Sequence, residues 1–139
     1  NVMAFGGLWL VPGDLARIGQ LMAESGRWAG KQIVPVAWVR ACTSPALADI
    51  RDYGLLWRLY PGAKGYADDG GFGGEGWLGQ YLIICPEQRL VAVRLHAIEY
   101  GNDERESQKY GFPSFQEFVA ALVRPRIADG TEKYKVELH

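Results

Sequence analysis

Gln80-Tyr81-Leu82-Ile83-Ile84-Cys85-Pro86-Glu87-Gln88-Arg89-Leu90-Val91-Ala92-Val93-Arg94-Leu95-His96 is the stretch whose reading decides the fold. Two runs of aliphatic and β-branched residues flank a short polar turn, and Pro86 arrives with its φ already set for that turn. The spacing predicts an antiparallel hairpin, with Gln80 to Cys85 outward and Leu90 to His96 returning. Neither arm alternates apolar with polar residues. Near-continuous apolar runs predict a hairpin covered on both faces.

Covers are found on both sides of the hairpin in sequence. Downstream, Glu99 to Lys109 is charged and reads as a loop. Ser114-Phe115-Gln116-Glu117 is then a capping box opening a helix with Phe115, Phe118, Val119 and Leu122 inward, ending near Arg124-Pro125. Upstream, Asp14 follows Pro12-Gly13 as an N-cap for a helix over residues 14–25, with Leu15, Ile18, Leu21 and Met22 at helical spacing and Gly26 as its stop. A polar turn from Arg27 to Lys31 leads to Ile33-Val34. Pro35 suits the first turn of a second helix, which carries Val36, Val39 and Cys42 on one side and ends before Pro45. Residues 46–52 read as loop, and the aromatic run Tyr53 to Tyr60 as a strand. Two helices, a strand, a glycine-rich stretch, a hairpin and a closing helix make an α+β arrangement, an antiparallel sheet with packed helices. One domain is expected over residues 1–128, with a patternless tail over 129–139.

Composition removes several function classes. The 139 residues are 48% apolar and 22% charged with a formal net charge of −1. One core is expected, and no basic face suggests nucleic acid. No apolar run is long enough to span a membrane as a helix. Cys42 and Cys85 lie too far apart in sequence for a paired-cysteine metal site or a disulfide framework, and His96 and His139 are the only imidazoles. Neither a metal nor another cofactor is expected. Asn1 opens directly into apolar sequence, which reads as the interior of a longer chain.

Chemistry concentrates between Gly62 and Gly79, where eight of eighteen residues are glycine. Two readings stand side by side. Glycines allow positive φ in a bulge or loop; they also let backbone approach a ligand closely, so that an N–H can serve as an oxyanion donor. No Gly-Lys-Ser/Thr follows, which argues against a phosphate loop. In Gly74-Glu75-Gly76-Trp77-Leu78-Gly79-Gln80 a strand begins, which would turn backbone amides toward a cleft.

Several motifs, taken together, carry a family resemblance. Gly6-Gly7-Leu8-Trp9-Leu10-Val11-Pro12-Gly13-Asp14-Leu15-Ala16-Arg17-Ile18-Gly19-Gln20-Leu21-Met22 resembles the GGL-x-S/T-x-x-DLARFGQLML signature of the serine β-lactamase/penicillin-binding-protein superfamily. Gly26 to Val39 is similar to its G-x-W-x-G-x-x-I-L-P-x-x-W-V stretch, and Tyr53 to Trp57 to its YGYGWW strand. Gly76-Trp77-Leu78-Gly79-Gln80, Pro86-Glu87 and Leu90 to Val93 resemble G-x-x-GQ…PE…LVVV. The order holds across most of residues 5–97, and the pattern is closest in kind to the class C-like esterase and 6-aminohexanoate-dimer hydrolase branch.

That resemblance implies a hydrolase of esters or amides working through an acyl-serine. It also implies where the chemistry is missing. No serine here is followed three residues later by lysine, and Tyr100-Gly101-Asn102, which spells the family's Y-x-N, falls after the hairpin instead of before Gly6. Nucleophile, lysine and tyrosine are therefore expected in an absent N-terminal half, with which this chain would pair. Gly74-Glu75-Gly76 aligns with the family's K-T-G or H-x-G, so Gly74 stands where a cation would be. This disfavours β-lactam carboxylates and points to the esterase or amidase side. By the same correspondence the backbone N–H of Trp77 would donate to the oxyanion, and its indole would wall the pocket.

Gly74, Glu75, Gly76, Trp57 and His96 are the candidate substrate contacts, for a small ester or amide. Each has a plainer reading. Glu75 also reads as a solvated carboxylate, His96 as an internally bonded histidine, Trp57 and Tyr53 as packing, and both cysteines as small buried hydrophobes. Asp68-Asp69 read as turn formers. The functional alternative is a non-catalytic binding or interaction domain on the same fold, prone to self-association through exposed apolar surface.

Overall fold

A computed structural model describes residues 7–60, 71–76, 79–95, 115 and 119. Helix α1 spans Pro12–Ala23. It starts two residues earlier than Asp14 capping would place it. Val11 is the N-cap in extended conformation, and Pro12, with φ pre-set and no N–H to satisfy, occupies the first turn. Asp14 lies inside that turn, where its charge suits the helix dipole and pairs with Arg17. At the other end Gly26 has φ +82° and donates to the Leu21 carbonyl at 2.8 Å. The helix ends at Ala23, two residues before the expected end, with Glu24 as C-cap, and Gly26 closes the turn that follows.

The polar turn after α1 is itself a small hairpin. Strands β1 (Arg27–Trp28) and β2 (Lys31–Gln32) pair antiparallel around Ala29 and Gly30, both at positive φ. This geometry matches the twist of a two-residue hairpin. It returns Ile33 and Val34 to donate to the Gly26 carbonyl at 2.8 and 3.0 Å. Helix α2 follows over Val36–Cys42, with Pro35 at its N-cap. Val39 and Cys42 are buried as expected, whereas Val36 is largely exposed.

The expected strand from Tyr53 to Tyr60 is shorter. Only β3, Arg58–Tyr60, is extended in the sheet. Residues before it turn: Gly54 donates to the Trp57 carbonyl at 2.8 Å, and Leu56 takes φ 66°. Gly54 sits so close to the Cys42 carbonyl that any side chain would overlap it, and the Leu55 N–H donates to that same oxygen at 3.2 Å. Docking onto the end of α2 overrides the strand preference of the aromatics.

The main sheet is an antiparallel meander in the order β3-β4-β5-β6. Strand β4 is Gly71–Gly76, β5 is Gln80–Cys85 and β6 is Leu90–Arg94. The hairpin register runs from Cys85↔Leu90 to Tyr81↔Arg94, as the sequence predicts, and Arg89 donates to the Pro86 carbonyl at 2.9 Å in the turn. His96 lies outside the described residues. Both faces are covered. Phe72, Leu82 and Ile84 pack with Met22 of α1 and with Val39 and Cys42 of α2. Ile83 and Cys85 pack with Tyr60 and Val119 on the other face, with Phe115 beside them. Phe115 and Val119 are helical, in keeping with the closing helix; Phe118, Leu122 and the tail from residue 129 lie outside the described residues. Among the described residues no helix is long and apolar enough to cross a membrane.

Gly19 is where α1 meets the hairpin. A methyl group there would sit 2.5 Å from Val91 Cγ1 and 2.9 Å from Leu82 Cδ1. Gly19→Leu should overpack this contact and destabilise the chain by about 1–3 kcal/mol, read as a lower urea midpoint at unchanged m value.

Candidate functional site

The glycine-rich stretch contains a strand instead of a bulge or loop. β4 lies inside the sheet, paired to β3 through Tyr60↔Gly71, Leu59↔Phe72 and Arg58↔Gly73, and to β5 from Phe72↔Ile84 to Gly76↔Gln80. Alternation puts Phe72, Gly74 and Gly76 on the α1 face and Gly71, Gly73 and Glu75 on the face of Tyr60. Glycine at 73 is a packing requirement. A side chain there would overlap the Leu82 carbonyl oxygen and come within 3.2 Å of the Tyr60 hydroxyl.

Pairing changes at Gly74. β3 ends opposite Gly73, so Gly74, Glu75 and Gly76 are paired to β5 on one side, and among the described residues no strand pairs with their other edge. Space around Gly74 is open, with no atom within 4 Å of where a Cβ would stand. A strand end with no pairing strand on one edge among the described residues, and open space at Gly74, leaves backbone donors accessible to a ligand. The residue that follows Gly76, Trp77, lies outside the described residues.

Trp57 packs edge-on against Phe72, with ring centroids 5.4 Å apart at 87°. This fixes the indole on the face that Gly74 shares. Its packing reading is therefore correct, and the same placement puts it at the border of the open edge. Glu75 is held from β3: it accepts a hydrogen bond from the Tyr60 hydroxyl at 3.2 Å and lies 3.7 Å from Arg58 Nε. Arg58 also lies 3.6 Å from Asp52 and 6.0 Å from the centre of the Tyr53 ring. Arg58 and Tyr60 were not among the sequence candidates. Their signal was present, as two long polar-tipped side chains on alternate strand positions facing glycines. It becomes legible only once register is known.

Both cysteines are free and buried, and burial pushes each thiol above its ordinary value. Neither is a nucleophile in waiting. Among the described residues no group of three metal-ligating side chains occurs. An open groove of about 540 Å³ lies between α1 and the β5–β6 turn, bordered by Arg17, Gln20, Glu24, Pro86 and Arg89. It lies at the Cys85 end of β5, the opposite end from Gly76, and has no part in the strand-end site.

No family model matches this sequence, and no curated protein matches it. Among solved structures the chain is similar to a putative 6-aminohexanoate-dimer hydrolase from Bacillus anthracis, with 24% identity and a TM-score of 0.54. The match covers 80% of this chain and 29% of that one, so the chain spans less than a third of its neighbour. The likeness is one of fold: an α+β unit consistent with a piece of the β-lactamase-like hydrolase fold.

Two outcomes follow for single residues. Gly73→Ala should force the Leu82 carbonyl away and cost about 2 kcal/mol or more of unfolding free energy in urea titrations, while Gly74→Ala, into open space, should change it by no more than about 0.5 kcal/mol. Because raised thiol pKa values lower the thiolate fraction, iodoacetamide at pH 8 should label Cys42 and Cys85 slowly in the folded chain and rapidly in urea.

Proposed function

We propose that this chain is the part of a serine hydrolase of β-lactamase-related, esterase or amidase type that supplies half of the oxyanion hole and part of the pocket. The observation that carries the reading is the end of β4, a glycine edge paired on one side only among the described residues, in a fold similar to part of a putative hydrolase. The backbone N–H of Trp77, the next residue in sequence, would donate a hydrogen bond to the carbonyl oxygen as charge develops on it when a serine hydroxyl adds to the substrate. Loss of such a donor typically costs about 3–4 kcal/mol in the transition state.

Roles follow for the rest of the site. Trp57 walls the acyl or leaving group, a role that the Trp77 indole would share. Gly74, where a cation would otherwise stand, leaves the pocket without a carboxylate ligand and selects neutral esters or amides. His96 would contact the substrate, and Glu75, two residues before Trp77 in sequence, would flank the donor. The serine and its proton-transfer partners come from another polypeptide segment. In the reaction their serine adds to the carbonyl, the leaving group departs with a proton, and water hydrolyses the acyl-serine.

The interaction-domain reading draws on a separate observation. Trp9 is 93% exposed, Leu56 71% and Trp38 56%. Large apolar side chains in water favour a polypeptide partner, whether or not chemistry follows. The sequence encoded ahead of Asn1 separates the two: Ser-x-x-Lys followed by Tyr-x-Asn supports the hydrolase, and their absence supports a binding role. The chain alone should release no 4-nitrophenol from 4-nitrophenyl acetate or butyrate above the buffer rate. A burst at the first turnover would show a nucleophile within the chain and overturn that assignment of parts.

A further inference from the structure

The strand end that the proposed oxyanion donor continues has a structural weakness. β3 stops pairing at Gly73, and two of the next three residues are glycine, the residue with the most backbone freedom. An oxyanion donor acts only if it is fixed before charge develops. Something has to hold this end.

We propose that Glu75 is a positioning residue, a strap that ties the one-sided end of β4 back to β3. It is the sole side chain with polar atoms between Gly73 and Gly76. Its carboxylate bridges to Tyr60 Oη and Arg58 Nε, both on β3, the strand whose backbone no longer reaches it. The side-chain contacts thus link β4 to β3 beyond their last backbone pair, Arg58↔Gly73.

The surroundings are shaped for this contact. Tyr60 lies along Gly71 and Gly73: methyl groups on those residues would stand 3.7 Å from its Cδ2 and 3.2 Å from its hydroxyl. Glycine at both positions lets the ring extend down the strand until its hydroxyl meets the carboxylate. The Tyr60 ring is itself immobilised, buried with Ile83, Cys85 and Val119. Arg58 is steadied by Asp52 and by the face of Tyr53. A charge-assisted bond to a buried, rigid donor holds its partner better than a solvated ion pair does. Glu75 therefore faces β3 and acts on the site through the backbone it restrains.

Its importance for catalysis rests on the hydrolase reading, but its test does not. Amide hydrogen exchange of the chain, without substrate, reads the strap directly. Glu75→Ala should speed exchange from Gly74 to Gly79 about tenfold and leave Ile83, Ile84 and Val93 unchanged. Glu75→Gln, whose amide oxygen still accepts from Tyr60, should restore most of the protection. Should the alanine variant fail to fold, Tyr60→Phe removes only the hydroxyl and should speed the same amides about threefold. Exchange within twofold of the parent, equal acceleration across β5 and β6, or no rescue by glutamine would each overturn the proposal. An inactive chain in the ester assay leaves it standing, and loss of the strap leaves the hydrolase reading standing.

Discussion

Everything in the sheet depends on how closely β4 lies against β5. At Gly73 the Leu82 carbonyl oxygen takes up the space of a side chain, and at Gly71 the nearest atom is the Ile84 carbonyl oxygen, 3.2 Å from where a Cβ would stand. A strand built of ordinary residues would be pushed off. Glycine usually weakens strands because it has no side chain to pack and more chain entropy to lose. Here that cost is offset by neighbours: Tyr60 covers one face of β4, and Phe72 fills the other with Trp57 against its ring. The meander is held through a strand with almost no side chains of its own.

The same close approach divides the sheet into two environments. Through Gly73 the strand is flanked on both sides and buried; from Gly74, among the described residues, it is flanked on one side and becomes exposed. Backbone that is glycine-rich, half-paired and in reach of solvent is suited to binding, while the buried part supplies the rigidity. Arg58, Tyr60 and Glu75 span this boundary, and their contacts run from the rigid part to the exposed end. The groove beside α1 lies at the other end of β5 and shows no such gradient.

Similarity of fold to part of a putative 6-aminohexanoate-dimer hydrolase agrees with the resemblance carried by the motifs from Gly6 to Val93. The two lines of argument are independent in kind, since one compares backbone paths and the other residue spacing. Large apolar side chains, Trp9 and Trp38 among them, stand exposed on this unit.

Local chemistry was enough for several elements. The hairpin from Gln80 to Arg94 and its register followed from two apolar runs and a proline turn, because both signals act within a few residues. Helices α1 and α2 followed from apolar spacing and from Gly26 and Pro35, although Pro12 and not Asp14 set where α1 begins. Other features were decided at long range. Tyr53 to Trp57 turn instead of extending because the Cys42 carbonyl, on another element, receives the Leu55 N–H. Gly71 to Gly76 form a strand because β3 and β5 provide the side chains and carbonyls that glycine lacks. Glu75 meets Tyr60 only after register sets Gly71 and Gly73 between them. Sequence specifies what a residue can do nearby; which distant surface it meets is settled when the layers close.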